Sequence, residues 1–276
     1  MRFRKIYVEI SNLCNLRCAF CPGTRRTPGW MTPEDFEKLL PKLRPYTDYL
    51  YFHIMGEPLC HPELETLLTM AGNWGFRVIL TTNGTLLARQ QQMLLENTAL
   101  HKVNISLHAF EANDLAVPFE KYLEDCFQFG KAAEGKKLVV YRLWNHGGAD
   151  ARNDEIVAAM ERYFPKPWQQ VRQGMGIGEK VFLEYGDKFD WPDLQAPETG
   201  ACFCYGLRDQ LGILWDGTVV PCCLDHEGDL ALGNLFRQEM EEILDSPRAK
   251  AIYEGFSRKE AVEDLCRRCG YAKRFQ

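Results

Sequence analysis

Three cysteines, Cys14, Cys18 and Cys21, crowd the stretch "SNLCNLRCAFC", directly after the apolar–polar alternation "IYVEI". Thiols at this spacing suit metal ligation. A structural zinc closes with four ligands, and no fourth Cys or His follows at finger spacing. A [4Fe–4S] cube has four irons, so three cysteines leave one iron free to bind something else.

A second set lies in the last third. Cys204, Gly217 and Cys222 form C-x12-G-x4-C, and after a long gap Cys266 and Cys269 form C-x2-C. Four thiolates close the coordination of a cluster and leave no iron open, which suits electron transfer better than substrate ligation. Cys202 competes with Cys204, and Cys223 with Cys222; a zinc on four of these cysteines is the alternative. Cys60 and Cys126 stand alone and are expected to be buried small hydrophobes. The N-terminus enters a strand pattern with no signal-peptide core, so the expected compartment is the cytoplasm, where eleven cysteines remain thiols.

The elements that must position these thiols alternate. Ile6, Val8 and Ile10 mark a first strand; Thr32 caps a helix that has Pro33 in its first turn and Phe36, Leu39, Leu40 and Leu43 on one face. Strands "YLYFHIM", "RVILTT", "KVNISLH", "KLVVYRLW" and "KVFLEY" follow. Between them fall helices from about Pro62 to Trp74, from about Leu86, around 118–132, and through Ile156, Ala159, Met160 and Tyr163. Strict alternation implies parallel strands joined by crossover helices, and six units predict a partial (β/α)6 barrel with its chemistry at the carboxyl ends of the strands. After Tyr185 a Gly-, Pro- and Asp-rich linker leads to "LGILWDGTVVPCC", a hairpin turning at Asp216 and Gly217, and then to a helical tail. The expected division is 1–186 for the barrel and 187–276 for a small hairpin-plus-helix module stabilised by a metal centre.

Bulk composition narrows the function. Of 276 residues 46% are hydrophobic and 26% charged, with 33 basic against 38 acidic side chains and a formal charge of −5. That describes a globular domain without a basic run for a nucleic-acid backbone, and no stretch reaches membrane-spanning length. Neither a nucleic acid nor a membrane is expected as a partner.

C-x3-C-x2-C after a first strand, with Phe20 before the third cysteine, resembles the radical S-adenosylmethionine (radical SAM) enzymes. The resemblance implies that the open iron chelates S-adenosylmethionine and that an electron splits its sulfonium to a 5′-deoxyadenosyl radical. It implies cofactor contacts at later strand ends. Gly56, Glu57 and Pro58 resemble the motif that holds the methionine amino group, Asn83 hydrogen-bonds the cofactor, Ser106 and His108 reach its ribose or carboxylate, and Arg142 pairs with its carboxylate. The tail, with "LGNL" at 232–235, is similar to the twitch module, a short form of SPASM, which implies Cys204, Cys222, Cys266 and Cys269 on an auxiliary [4Fe–4S] cluster.

Within the family the chain most resembles the aminocyclitol dehydrogenase type, which implies oxidation of a small-molecule alcohol, electrons from a flavodoxin or ferredoxin, and a base for which His146 in "LWNHGG" is the candidate. Peptide modification is the alternative, although the first strand begins too early for a preceding peptide-recognition domain. From another class stands a non-catalytic iron–sulfur carrier or zinc-binding scaffold.

Overall fold

The computed structural model describes residues 2–113 and 117–275. The alternation is there: β1 (Lys5–Val8), α1 (Pro33–Leu43), β2 (Tyr49–Phe52), α2 (Leu64–Asn73), β3 (Arg77–Thr82), α3 (Leu87–Glu96), β4 (Leu100–Ser106), α4 (Phe119–Ala133), β5 (Leu138–His146) and α5 (Asn153–Glu161). A hairpin that the periodicity did not announce, β6 (Gln169–Val171) and β7 (Gly174–Gly178), precedes β8 (Val181–Asp187). Glycines at 174, 176 and 178 dilute its strand pattern. The tail forms β9 (Gln210–Ile213), β10 (Thr218–Val220), β11 (Gly233–Asn234), α6 (Met240–Leu244), α7 (Pro247–Ser257) and α8 (Asp264–Arg267).

All strands join one sheet in the order β11-β10-β9-β1-β2-β3-β4-β5-β8-β7-β6, parallel from β9 to β8 and antiparallel beyond. It stays open, as a partial barrel does. The tail does not build a sheet of its own, because β9 pairs in parallel with β1 from Lys5↔Gln210 to Val8↔Ile213. Its hairpin turns as expected, with Leu214 N donating to the Thr218 carbonyl and Gly217 at φ +83°.

Pleating sorts each strand into two faces. Ile6, Val8, Leu50, Phe52, Val78, Leu80, Val103, Ile105, Val139, Tyr141, Val181 and Leu183 turn to the helices and form the main core. Thr32 Oγ1 accepts from Asp35 N at 3.2 Å, and α1 buries Phe36, Leu39, Leu40 and Leu43, the four residues its period marks out. On the opposite face Tyr7 belongs to a separate cluster with Ile54, Met55, Leu214 and Val220. Among the described residues no helix is long and apolar enough to cross a membrane.

Where α4 crosses β5, Gly130 leaves room for Tyr141, whose hydroxyl donates to the Cys126 carbonyl at 2.9 Å. A Cβ on Gly130 would stand 1.9 Å from that hydroxyl oxygen. Gly130→Ala is therefore expected to lower stability by about 1–3 kcal/mol, seen as a lower urea midpoint; an unchanged midpoint would contradict this packing.

Candidate active site

Cys14, Cys18 and Cys21 lie on the loop that follows β1, Cys14 and Cys21 exposed and Cys18 half-buried. Leu16 N approaches Cys14 Sγ at 3.4 Å, and Asn113 Nδ2 donates to Cys18 Sγ at 3.1 Å. N–H donors aimed at sulfur stabilise thiolate ligands. Partial burial pushes the Cys14 thiol up to about 11, and burial also raises Cys18 and Cys21. Thiols in such a place ionise on binding a metal, with release of protons.

Gly56 seats this loop. Its φ is +78°, and a Cβ there would lie 2.4 Å from the Ser11 carbonyl oxygen, while the next amide, Glu57 N, donates to the Leu13 carbonyl at 2.8 Å. The buried Glu57 carboxylate, expected on a methionine ammonium, accepts from Asn83 N at 2.7 Å and Leu59 N at 3.0 Å. Burial raises it to about 7. Pro58 opens the short 3-10 turn that follows. Asn83 Nδ2 donates to Asn15 Oδ1 at 2.9 Å, and its Oδ1 accepts from Thr85. The GEP and Asn83 motifs thus lock the cysteine loop to the ends of β2 and β3.

Ser106 ends β4, and His108 follows it on a 3-10 turn, its ring 5.0 Å from that of Phe20. His108 Nδ1 lies 3.0 Å from the Arg142 carbonyl and 3.4 Å from Trp144 N; burial lowers the ring to about 4 and leaves it neutral. Arg142 faces the sheet's inner side, with its guanidinium 4.4 Å over Trp144 and Nε 3.6 Å from Glu184. His146 is not among them. β5 runs on past Arg142, and its end carries the imidazole into solvent, 79% exposed and 3.6 Å from Asp150. Cys60, expected buried, is half-exposed on the turn after Glu57, whereas Cys126 is fully buried in α4.

In the tail Cys204, Cys222, Cys266 and Cys269 line one cavity together with Leu224, Leu230 and Leu265, and neither Cys202 nor Cys223 reaches it. Cys223 turns instead toward Tyr7, with which it shares a hydrogen bond. Among the described residues no three His, Cys, Asp or Glu side chains converge tightly enough to chelate a single ion. A four-iron cube spans a wider thiolate set, and the four-cysteine apolar cavity fits one.

Sequence reasoning passed over the inner face itself. Tyr7, Tyr51, His53, Lys102, Asn104 and Glu184 occupy alternate positions opposite to the core-facing residues of their strands. Polar residues recurring at period two within apolar runs were the available signal. It also missed Glu9, fully buried, whose carboxylate takes both Arg26 terminal nitrogens at 2.6 and 2.8 Å.

Comparison with known proteins agrees with this geometry. Residues 8–126 match the radical SAM superfamily and residues 202–270 the SPASM iron–sulfur cluster-binding domain. The chain is 29% identical to the S-adenosyl-L-methionine-dependent 2-deoxy-scyllo-inosamine dehydrogenase of Niallia circulans, covering 97% of this chain and 92% of that protein. It is also 29% identical to a tungsten-containing aldehyde ferredoxin oxidoreductase cofactor-modifying protein of Pyrococcus furiosus over 64% of this chain, spanning only 50% of that relative. The crystal structure of BtrN in complex with AdoMet and 2-DOIA superposes with a TM-score of 0.64 at 20% identity, covering 98% of this chain and 94% of that one.

Because a side chain on Gly56 would press on the Ser11 and Leu13 carbonyls, Gly56→Ala is expected to disturb the cysteine loop specifically. Chemical iron analysis after anaerobic reconstitution should show about half the wild-type iron, the tail retaining its share. Full iron loading would contradict the seating role.

Proposed function

We propose that this chain, which belongs to the radical SAM superfamily and carries a SPASM iron–sulfur module, is an oxidoreductase that dehydrogenates a small molecule. Its radical SAM domain binds S-adenosylmethionine and a [4Fe–4S] cluster, and its SPASM domain binds further iron–sulfur. With these groups bound, the site supplies a 5′-deoxyadenosyl radical to remove a substrate hydrogen atom and an acceptor for the electron left behind. The observation that carries the reading is the pairing of two thiol sets on one sheet: three at the mouth of β1, four in the tail cavity, joined through β1 and β9.

Within that reading Cys14, Cys18 and Cys21 hold the first cluster and Cys204, Cys222, Cys266 and Cys269 the second. Gly56, Glu57, Pro58 and Asn83 shape the floor under the first through their backbone contacts. Phe20, Ser106, His108 and Arg142 form the wall where the cofactor is held, the neutral His108 fixed by its bond to β5. Residues 1–186 act as the barrel and 187–276 as the electron-accepting module. A reducing cytoplasm suits the eleven thiols, and a flavodoxin or ferredoxin supplies electrons. The near full-length likeness to a scyllo-inosamine dehydrogenase supports a small-molecule substrate over a peptide. His146, exposed at the end of β5 beside Asp150, is a weaker candidate for the base than a group enclosed with the cofactor residues.

Cys18→Ala is expected to abolish 5′-deoxyadenosine formation with S-adenosylmethionine and dithionite. Cys266→Ala should cut iron by about half while leaving that product detectable by mass spectrometry. Equal loss of the product in both variants would contradict separate roles. Deuterium from a labelled small molecule rather than from a peptide should appear in 5′-deoxyadenosine; transfer from a peptide only would transfer the assignment to peptide modification.

A further inference from the structure

The radical reading leaves the charge of the barrel's inner face unused. Lys102 on β4 lies within electrostatic range of Arg142 on β5, and the exposed Lys5 on β1 adds its charge at the rim. Burial first, and the neighbouring cations after it, lower the basicity of Lys102, a cost that an anion would offset. The carboxylate that faces them, Glu184, stands opposite Arg142 in the β5–β8 register, 3.6 Å from its Nε. That single carboxylate leaves the chamber positive. The two other buried carboxylates nearby are committed elsewhere, Glu9 to Arg26 and Glu57 to backbone amides.

Unmet hydrogen-bonding capacity lies on the same face. His53 Nδ1 and Asn104 Oδ1 are buried with no hydrogen-bond partner, and Arg142 Nε, 3.6 Å from Glu184, makes an ion pair without a hydrogen bond. Asn104 is 1% exposed, and one end of its amide is held by Thr81 Oγ1 at 3.1 Å while the other end is unpaired. Buried polar atoms are almost always paired, so unpaired groups recurring on this face, after β2 and on β4, point to a ligand that completes them. The Tyr7 and Tyr51 rings, 5.1 Å apart, form an amphipathic wall beside them, and the His53 ring meets Tyr7 edge-on at 5.0 Å.

We propose that this chamber binds a hydroxylated small molecule bearing a carboxylate or phosphate, with Lys102 taking the anion and Asn104 and His53 its hydroxyl groups. The inference deepens the small-molecule reading and rests on it for the reaction, though not for the binding. S-adenosylmethionine carries a carboxylate of its own, and Arg142 is the residue placed to meet it. Lys102 is separate, because Arg142 pairs with Ser106 at the end of β4 whereas Lys102 lies four residues deeper, opposite Leu138. A cationic amine in this chamber would face Lys102 with the chamber's carboxylate already beside Arg142.

The test is isothermal titration of the reconstituted holoenzyme, saturated with S-adenosylmethionine, against three probes of one ring shape: myo-inositol 1-phosphate, myo-inositol and 2-deoxy-scyllo-inosamine. The phosphorylated ring is expected to bind about tenfold or more tightly than either of the others, as one charge-assisted contact provides. The preference should fall to within about twofold in Lys102→Met and in Lys102→Gln, with circular dichroism melts showing both variants folded. Equal binding of the three, preference for the amine, no measurable binding of the phosphate, or a preference that survives both substitutions would overturn the proposal. Formation of 5′-deoxyadenosine, measured in the same preparation, reports separately on the radical reading: anion preference without that product leaves the chamber assignment standing and removes the chemistry, and the product without the preference does the reverse.

Discussion

The cysteine loop, the end of β2 and the tail hairpin meet on one buried carboxylate. Glu9 follows β1 directly, is fully buried, and accepts from four donors: both Arg26 terminal nitrogens, Met55 N at 3.3 Å and Trp215 N at 3.2 Å. Arg26 belongs to the cysteine loop, Met55 follows β2, and Trp215 lies in the tail hairpin. Arg26 also donates through Nε to the His226 carbonyl at 2.6 Å, just beyond Cys222 and Cys223. A buried ion pair of this kind adds little net stability over an apolar pair, but losing one partner strands a charge at about 3–5 kcal/mol. What it contributes is definition. The loop bearing the first three thiols and the hairpin that leads to Cys222 are both fixed to the Glu9–Arg26 pair.

Sheet continuity adds to that definition. With β9 hydrogen-bonded along β1, the hairpin that carries Cys222 extends the barrel wall instead of hanging from a linker, and Cys223 bonds to Tyr7 of the inner face. The tail cavity and the polar chamber are therefore neighbours across a packed wall of Tyr7, Ile54, Met55, Leu214 and Val220, with Trp191 and Cys223 against it. Electron transfer between a substrate and an acceptor needs a fixed separation, and rigid elements hold one better than loops do.

The parts of this architecture that follow local periodicity were legible in the sequence. The strand–helix alternation, the four-residue face of α1 and the turn at Gly217 all depend on residues near one another in the chain. The thiol sets were legible because cysteine spacing carries chemistry directly. Long-range pairing was not. The parallel union of β9 with β1, more than two hundred residues apart in the chain, leaves no mark in either strand, and the Glu9–Arg26 pair looks like two ordinary surface charges until the fold buries it. His146 ends a β5 longer than its sequence pattern marks out, and its imidazole is exposed there. Glu57 and Asn83 were found by motif, but the contacts they make here are to the backbone and loop that hold the thiols.

Low-temperature electron paramagnetic resonance of the dithionite-reduced, reconstituted protein, recorded with and without S-adenosylmethionine, tests the central claim most directly. Two iron–sulfur signals are predicted, one of which shifts when the cofactor binds a cluster that three cysteines leave open, while the other stays fixed. A single signal, or two that ignore the cofactor, would contradict the account.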